Sequence, residues 1–349
     1  MKTNHAKLIL VTAVTISAFR FPLSAFSQGV LTPPGVPAPM MKSLSQIEPR
    51  TPINTLPGDG GYDLYYISQS GSYYLTTNIV VASGTNGIGV GASDVVIDLN
   101  GFTLSGTASR IAIRSTANLG RVRICNGQLT GWSGGLDFYV NGTGTNLTLE
   151  NVQMTLTNGG AGLFAGVGCG DGLSLAHCTI SGASGPSSYA VLAGDRCTFE
   201  ACTLFGCNYG IDAGSTITVK DCTIKNCSGG EGIFVSNTSI LRNNLLDGCK
   251  MGMTFHNACM VSQNTCQNAT GNGFNISGNY NRVEDNVSIG NAFFGFISQG
   301  VTTNNLVIRN LARGNSSGNY ALNSTDAVGP IITTSGTITN LNPWANFSY

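Results

Sequence analysis

The sequence predicts an all-β chain wound as a parallel solenoid, one coil per repeat. Three observations predict it. A segment of hydrophobe, two residues, an anchor that is Asn or Cys in all but the first copy, one residue and a mostly hydrophobic position recurs eight times. A second series of short segments, most of them a glycine followed by a hydrophobe, lies between its members. No helical periodicity separates the two.

The N-terminus comes first. Lys2 and Lys7 precede an apolar run from Leu8 to Phe19, and small residues follow at Ala25 and Ser27. This layout is that of a secretory signal peptide over residues 1–27. The run is shorter than the roughly 20 residues a spanning helix needs, so cleavage is expected and no membrane span. The mature chain is then secreted, whether extracellular, periplasmic or at the cell surface. Residues 28–72 carry Pro33, Pro34, Pro37, Pro39, Pro49, Pro52 and Pro57. Proline fixes φ and removes a donor, so this stretch reads as an extended leader and N-terminal cap.

The chain has 349 residues, of which 17 are Lys or Arg, 17 Asp or Glu and 47 Gly. Balanced, sparse charge supplies no field for phosphate, which excludes a nucleic-acid partner. With 42% hydrophobic residues the chain is not disordered, and its glycines must serve turns.

From about Tyr73 the repeat takes over. Its members are LENVQM, LAHCTI, FEACTL, VKDCTI, LRNNLL, VSQNTC, VEDNVS and VIRNLA. Their anchors, Val152, Cys178, Cys202, Cys222, Asn244, Asn264, Asn286 and Asn310, are spaced 20 to 26 residues apart. The second series includes YAVL, YGID, EGIF, MGMT, NGFN and FGFI. Such a unit holds at least two short strands and has no room for a helix, while a propeller blade needs roughly 40 residues. A parallel β-solenoid remains, with hydrophobes inward and coils about 4.8 Å apart. It is expected over residues 73–330, with 331–349 as a C-terminal cap.

This pattern resembles the repeats of right-handed, pectin-lyase-like β-helix proteins. VVIDLNGFTLSG (residues 95–106) is similar to a frequent first-coil segment of secreted bacterial members, and LTPPGVPAPMMKSLSQIEPRTPI looks like their leader. The resemblance implies a single-stranded right-handed parallel β-helix of about ten coils. It implies no one reaction, because the fold hosts lyases, hydrolases, epimerases and adhesins. The ordered Asn-x-Asp, Asp-Asp, His-Gly and Arg-x-Lys motifs of polygalacturonase-like members are absent, as is the Asp-Pro-His-Asp signature of alginate epimerases. The likeness therefore transfers a fold and no catalytic residue.

The anchor column should point inward, running Cys178, Cys202, Cys222 and then Asn244, Asn264, Asn286 and Asn310. Five residues on, Cys207, Cys227 and Cys249 form a second column. Parallel in-register side chains suit the disulfide twist poorly, and eleven cysteines leave at least one unpaired. The C-x4-C spacing does not suit zinc. Cysteine as a small core hydrophobe explains the columns most simply, and stacked amides would bond along the axis.

With so few charges, their position matters. Two residues before the anchors stand Glu150, Ala176, Glu200, Lys220, Arg242, Ser262, Glu284 and Ile308. One residue before them stand Asn151, His177, Ala201, Asp221, Asn243, Gln263, Asp285 and Arg309. Both series read as outward columns. Glu200, Lys220, Asp221 and Arg242 fall on three consecutive coils and are the candidate catalytic residues. They suit β-elimination on a uronate polymer. One cation neutralises the substrate carboxylate, and Lys220 or Arg242 takes the proton where the other depresses its pKa. The carboxylates would also suit calcium, although the sequence requires no cofactor. The competing reading is a surface ion-pair ladder between adjacent strands.

Three other features are weaker. His256 sits at a strand end near Asp212 and Thr254, with no Ser or Cys placed to complete a triad. Asp98 and Asn100 read as turn-forming residues. Tyr209, Phe234 and Phe294 are candidates for outward display to a sugar. The expected function is to bind or depolymerise a polysaccharide, as a lyase first and a glycoside hydrolase second. The alternative is a noncatalytic structural or adhesive surface protein.

Overall fold

A computed structural model describes residues 48–140, 143–144, 146–157, 166–333 and 336–349. The expected signal peptide and residues 28–47 of the expected leader lie outside them. Residues 50–349 form one unit, a right-handed parallel solenoid of about eleven turns with almost no helix.

A complete coil has three short strands. In the coil of Cys202 they are Thr198–Glu200, Thr203–Phe205 and Tyr209–Ala213, and in the next Thr218–Lys220, Thr223–Lys225 and Glu231–Val235. Stacking these gives three faces, called first, second and third in that order. Register is strict: Glu200 pairs with Lys220, Phe205 with Lys225 and Asp212 with Phe234. Among the described residues every pairing is parallel except the short one of Tyr139 and Val140 with Thr143 and Gly144. Coil pairing extends beyond the span expected from the repeat. Asp63–Ile67 already pairs with Asn86–Val90, and Asn346–Ser348 pairs with the last second-face strand.

Alternation explains the inside. Phe199, Val219, Leu241, Val261, Val283 and Val307 form one fully buried column of the first face. Phe274, Phe296 and Tyr320 stack on the third, at centroid distances of 4.6 and 5.2 Å. Each such side chain contributes roughly 1.5–3 kcal/mol by leaving water. The glycine of the second series has a packing reason: a Cβ on Gly232 would lie 2.6 Å from Leu246 of the second face.

The corner between first and second faces turns on a single left-handed residue. From Asn151 to Arg309, the residue before each anchor has φ between 51° and 59°. The column expected to project from a strand is thus the corner itself. Asn and Asp adopt this region most readily, and they hold four of its eight positions.

The anchors then point inward, as their spacing predicts. Asn264 Oδ1 accepts the backbone N–H of Asn244 at 3.0 Å and its Nδ2–H at 2.9 Å, while Asn264 donates to Leu241 O at 2.9 Å. The pattern repeats through Asn286 and Asn310 and continues to Asn346. Two further ladders run inside the other corners, Asn291 to Asn315 and Asn281 to Asn305 to Asp326. Cysteine occupies the same positions in earlier coils. The sulfurs of Cys178, Cys202 and Cys222 face the backbone N–H groups of Val152, Cys178 and Cys202, where the amide oxygens stand later. Sulfur is a weak acceptor, so these are weaker rungs of one ladder. All eleven cysteines are buried free thiols, and burial pushes Cys207 up to about 11.

Candidate functional site

The first face brings Glu200, Lys220 and Arg242 together and places Asp221 at the corner beside them. Lys220 Nζ lies 2.7 Å from Glu200 Oε1. Arg242 donates to Gln263 Oε1 at 2.9 Å, and Asn243 donates to Asp221 Oδ1 at 2.7 Å. A shallow depression of about 540 Å³ lies over Lys220, Asp221, Arg242, Asn243 and Gln263. The hydrogen bond to Glu200 holds the Lys220 pKa above its ordinary value. Proton abstraction by Lys220 needs the opposite shift.

Other charges of this face are paired in the same way. Arg123 meets Glu150 at 2.6 Å, Arg282 meets Glu284 at 2.8 Å, and Arg309 meets Glu284 at 2.6 Å and Asp285 at 2.8 Å. At the head of the face Asp98 accepts the Asn100 N–H at 2.8 Å, the expected turn, and pairs with Arg50 at 2.8 Å.

The third face differs. Its strands follow the burial order half-buried, buried, buried, half-buried, buried, so the first and fourth residues project. Tyr189, Tyr209 and Glu231 occupy the first position of successive coils, and Asp212 and Phe234 the fourth. The Tyr189 and Tyr209 rings stack at 4.7 Å with 27° between planes. Tyr209 also lies across Gly230, where any Cβ would strike its ring. Burial, and then the Glu231 carboxylate, push Asp212 up to about 6. Neither Asp212 nor Glu231 has a hydrogen-bond or ion-pair partner among the described residues. His256 contacts Phe234 edge to face at 5.3 Å, one position beyond this strand set.

Earlier coils of the same face hold a second group. Arg114 donates through Nε to Asp63 Oδ1 at 2.8 Å and through a terminal nitrogen to Asp63 Oδ2 at 3.0 Å. Asp59 lies 3.7 Å from Arg114 and accepts the N–H groups of Asp63 and Gly61, which hold its carboxyl below the usual range. Asp137 pairs in register with Arg114, and burial raises its pKa. A depression of about 760 Å³ opens there, lined by Asp59, Tyr66, Arg114, Ser115, Thr116 and Tyr139 among others.

Sequence reasoning named Tyr209 as an outward residue and missed Asp212, Glu231, Tyr189, Arg114 and Asp137 as a group. A signal existed. Aligning YAVL, YGID and EGIF puts Tyr, Tyr and Glu in one column and Asp212 in another. Among the described residues no three His, Cys, Asp or Glu side chains converge as metal ligands, and no helix is long and apolar enough to cross a membrane.

A model of the right-handed β-helix region matches residues 111–265. No curated protein matches the sequence. Among solved structures, the periplasmic alginate epimerase AlgG is similar at TM-score 0.52 and 15% identity, covering 77% of each chain. A point mutant of it scores 0.51 at 13% identity, covering 81% of this chain and 84% of that one. At such identities the likeness is one of fold. The fold is therefore that of a right-handed parallel β-helix, built from the coils that the repeat predicts.

Proposed function

We propose that the protein works outside the cytoplasm on a polysaccharide laid along the third face, binding it or cutting its glycosidic bonds. One observation carries this reading: Asp212 and Glu231 stand on adjacent strands without partners, beside two stacked tyrosines. Half-buried carboxylates left unpaired cost stability, so a ligand-directed role accounts for them better than a structural one. Tyrosine rings offer flat faces to sugars. Hydrolysis uses a pair of carboxyl groups, one of them an acid with a raised pKa, and burial raises Asp212 to about 6. Likeness in fold to a periplasmic alginate epimerase supports a carbohydrate and an exported location.

A second reading has its own observation. Between residues 198 and 313 the connections between strands span two to seven residues and raise no walls over any face. A smooth prism suits a noncatalytic structural or adhesive protein.

The test is to incubate the protein with a glycan panel, with and without calcium, and record reducing ends and unsaturated-product absorbance. Reducing ends lost in Asp212→Asn support hydrolysis on the third face. Unsaturated product lost in Lys220→Ala returns the chemistry to the first face as elimination. Binding without either product supports the adhesive reading.

A further inference from the structure

The charge of the third face bears on which glycan it takes. Among the described residues, its projecting or strand-borne charged residues from Asp63 to Glu231 are Asp63, Arg114, Asp137, Asp212 and Glu231, and Asp59 leans onto the first of its coils. Arg114 is already committed: its fork is closed on Asp63, whose side chain is fully buried. The corners add Arg110, which lies over the Tyr62 ring, Lys250, which donates to Gly229 O, and Arg196, which is bonded to Asp171. Asp195 offsets one of these. The face therefore presents a negative field, and a polymer with a carboxylate on every sugar would meet it with like charge.

The depression beside Arg114 has the features of a site for an uncharged ring. Tyr66 and Tyr139 supply aromatic surface, and Asp59, Arg114 and Thr116 supply polar atoms of both hydrogen-bonding senses. Room for this arrangement comes from two glycines. A Cβ on Gly89 would strike the Asp63 carboxylate, and one on Gly91 the Tyr66 hydroxyl. Register then carries the face from Arg114 through Asp137, Gly168 and Leu192 to Asp212. Four coil steps span about 19 Å along the axis.

We propose that the third face takes a glycan without carboxylates, a neutral or amino-sugar chain, running along the solenoid axis from a ring-holding depression at Tyr66, Tyr139 and Arg114 to Asp212 and Glu231. This rests on the third-face reading above and sets the substrate class apart from uronate polymers.

Calorimetric titration of the full chain tests it, with xylo-, cello-, manno- and deacetylated chitin oligosaccharides against oligogalacturonate and oligoguluronate. Neutral chains long enough to span the face should bind with affinity insensitive to salt, and amino-sugar chains should bind more weakly as salt rises. Tyr66→Ala and Tyr139→Ala should each weaken binding by about fivefold or more, because each removes a ring contact. Uronate binding that is lost in Tyr209→Ala would overturn the substrate class and leave the third face as a carbohydrate site. Neutral binding indifferent to both Tyr66→Ala and Tyr139→Ala would overturn the depression as a subsite. Absence of binding by every oligosaccharide would overturn this inference together with the reading it rests on.

Discussion

The first and third faces are cut from the same lattice of three- to five-residue strands and end in opposite electrostatic states. On the first, Glu200 has Lys220, Glu150 has Arg123 and Glu284 has two arginines. On the third, Asp212 and Glu231 have each other and no cation bonded to them. Neighbouring strands in a parallel stack put like positions about 4.8 Å apart, so opposite charges on consecutive coils pair at no cost in backbone. A chain that does so on one face, and on another at Arg114 and Asp63, but leaves Asp212 and Glu231 out of it is holding those two in a less stable state. Such states concentrate where ligands bind.

Three measurements would break or sharpen that contrast. The largest effect is expected on glycan engagement: Tyr209→Ala should weaken it by about tenfold or more, as loss of an aromatic anchor does, while Lys220→Ala leaves it unchanged. The reverse pattern would move the site to the first face. Next comes stability. The Asp212 carboxyl has its folded pKa raised from 3.8 to about 6. The folded state thus holds the proton more tightly than the unfolded chain. Its contribution is fully present below about pH 4 and is lost as the pH rises through about 6. Asp212→Asn should therefore stabilise the protein at pH 7.5 by about 1–2 kcal/mol, discounted for partial solvent screening, with the gain gone by about pH 4. Urea titrations at the two pH values measure it, and destabilisation at pH 7.5 would mean that the ionised carboxylate supports the fold. The smallest effect belongs to the first face. Glu200→Gln should leave Tm within about 1 °C of the parent, because exposed ion pairs add little. A drop of several degrees would make the ladder structural.

What the sequence made legible follows from how each feature repeats. Cys202, Cys222 and Asn244 are readable as one inward column because a coil returns the chain to the same corner after 20 to 26 residues. Asn346 breaks that spacing, lying 36 residues beyond Asn310 whose N–H it accepts, and so escapes the pattern. The corner at Asp221 hides for another reason. A positive φ leaves no fixed residue type behind: Ala201, His177 and Arg309 adopt it beside Asn and Asp. The third-face group was obscured by choosing the Asn and Cys anchors as ruler, since Asp212 and Glu231 fall outside the positions counted from it. Asp59 belongs to no coil position at all, and its approach to Arg114 exists only in three dimensions.

One feature of the tail has a consequence in time. Asn346–Ser348 lies between Leu311–Arg313 and Ile331–Ile332, pairing with both, so the order of these strands in space is not their order in the chain. Winding that advances coil by coil can proceed through Gly318–Ala321 and Ala327–Val328, which pair with the preceding coil, and then has to wait. Ile331–Ile332 has no neighbour to dock on until the later segment arrives, and the two must settle together. These two strands thus act as a latch, closing together on a coil whose other strands are already docked.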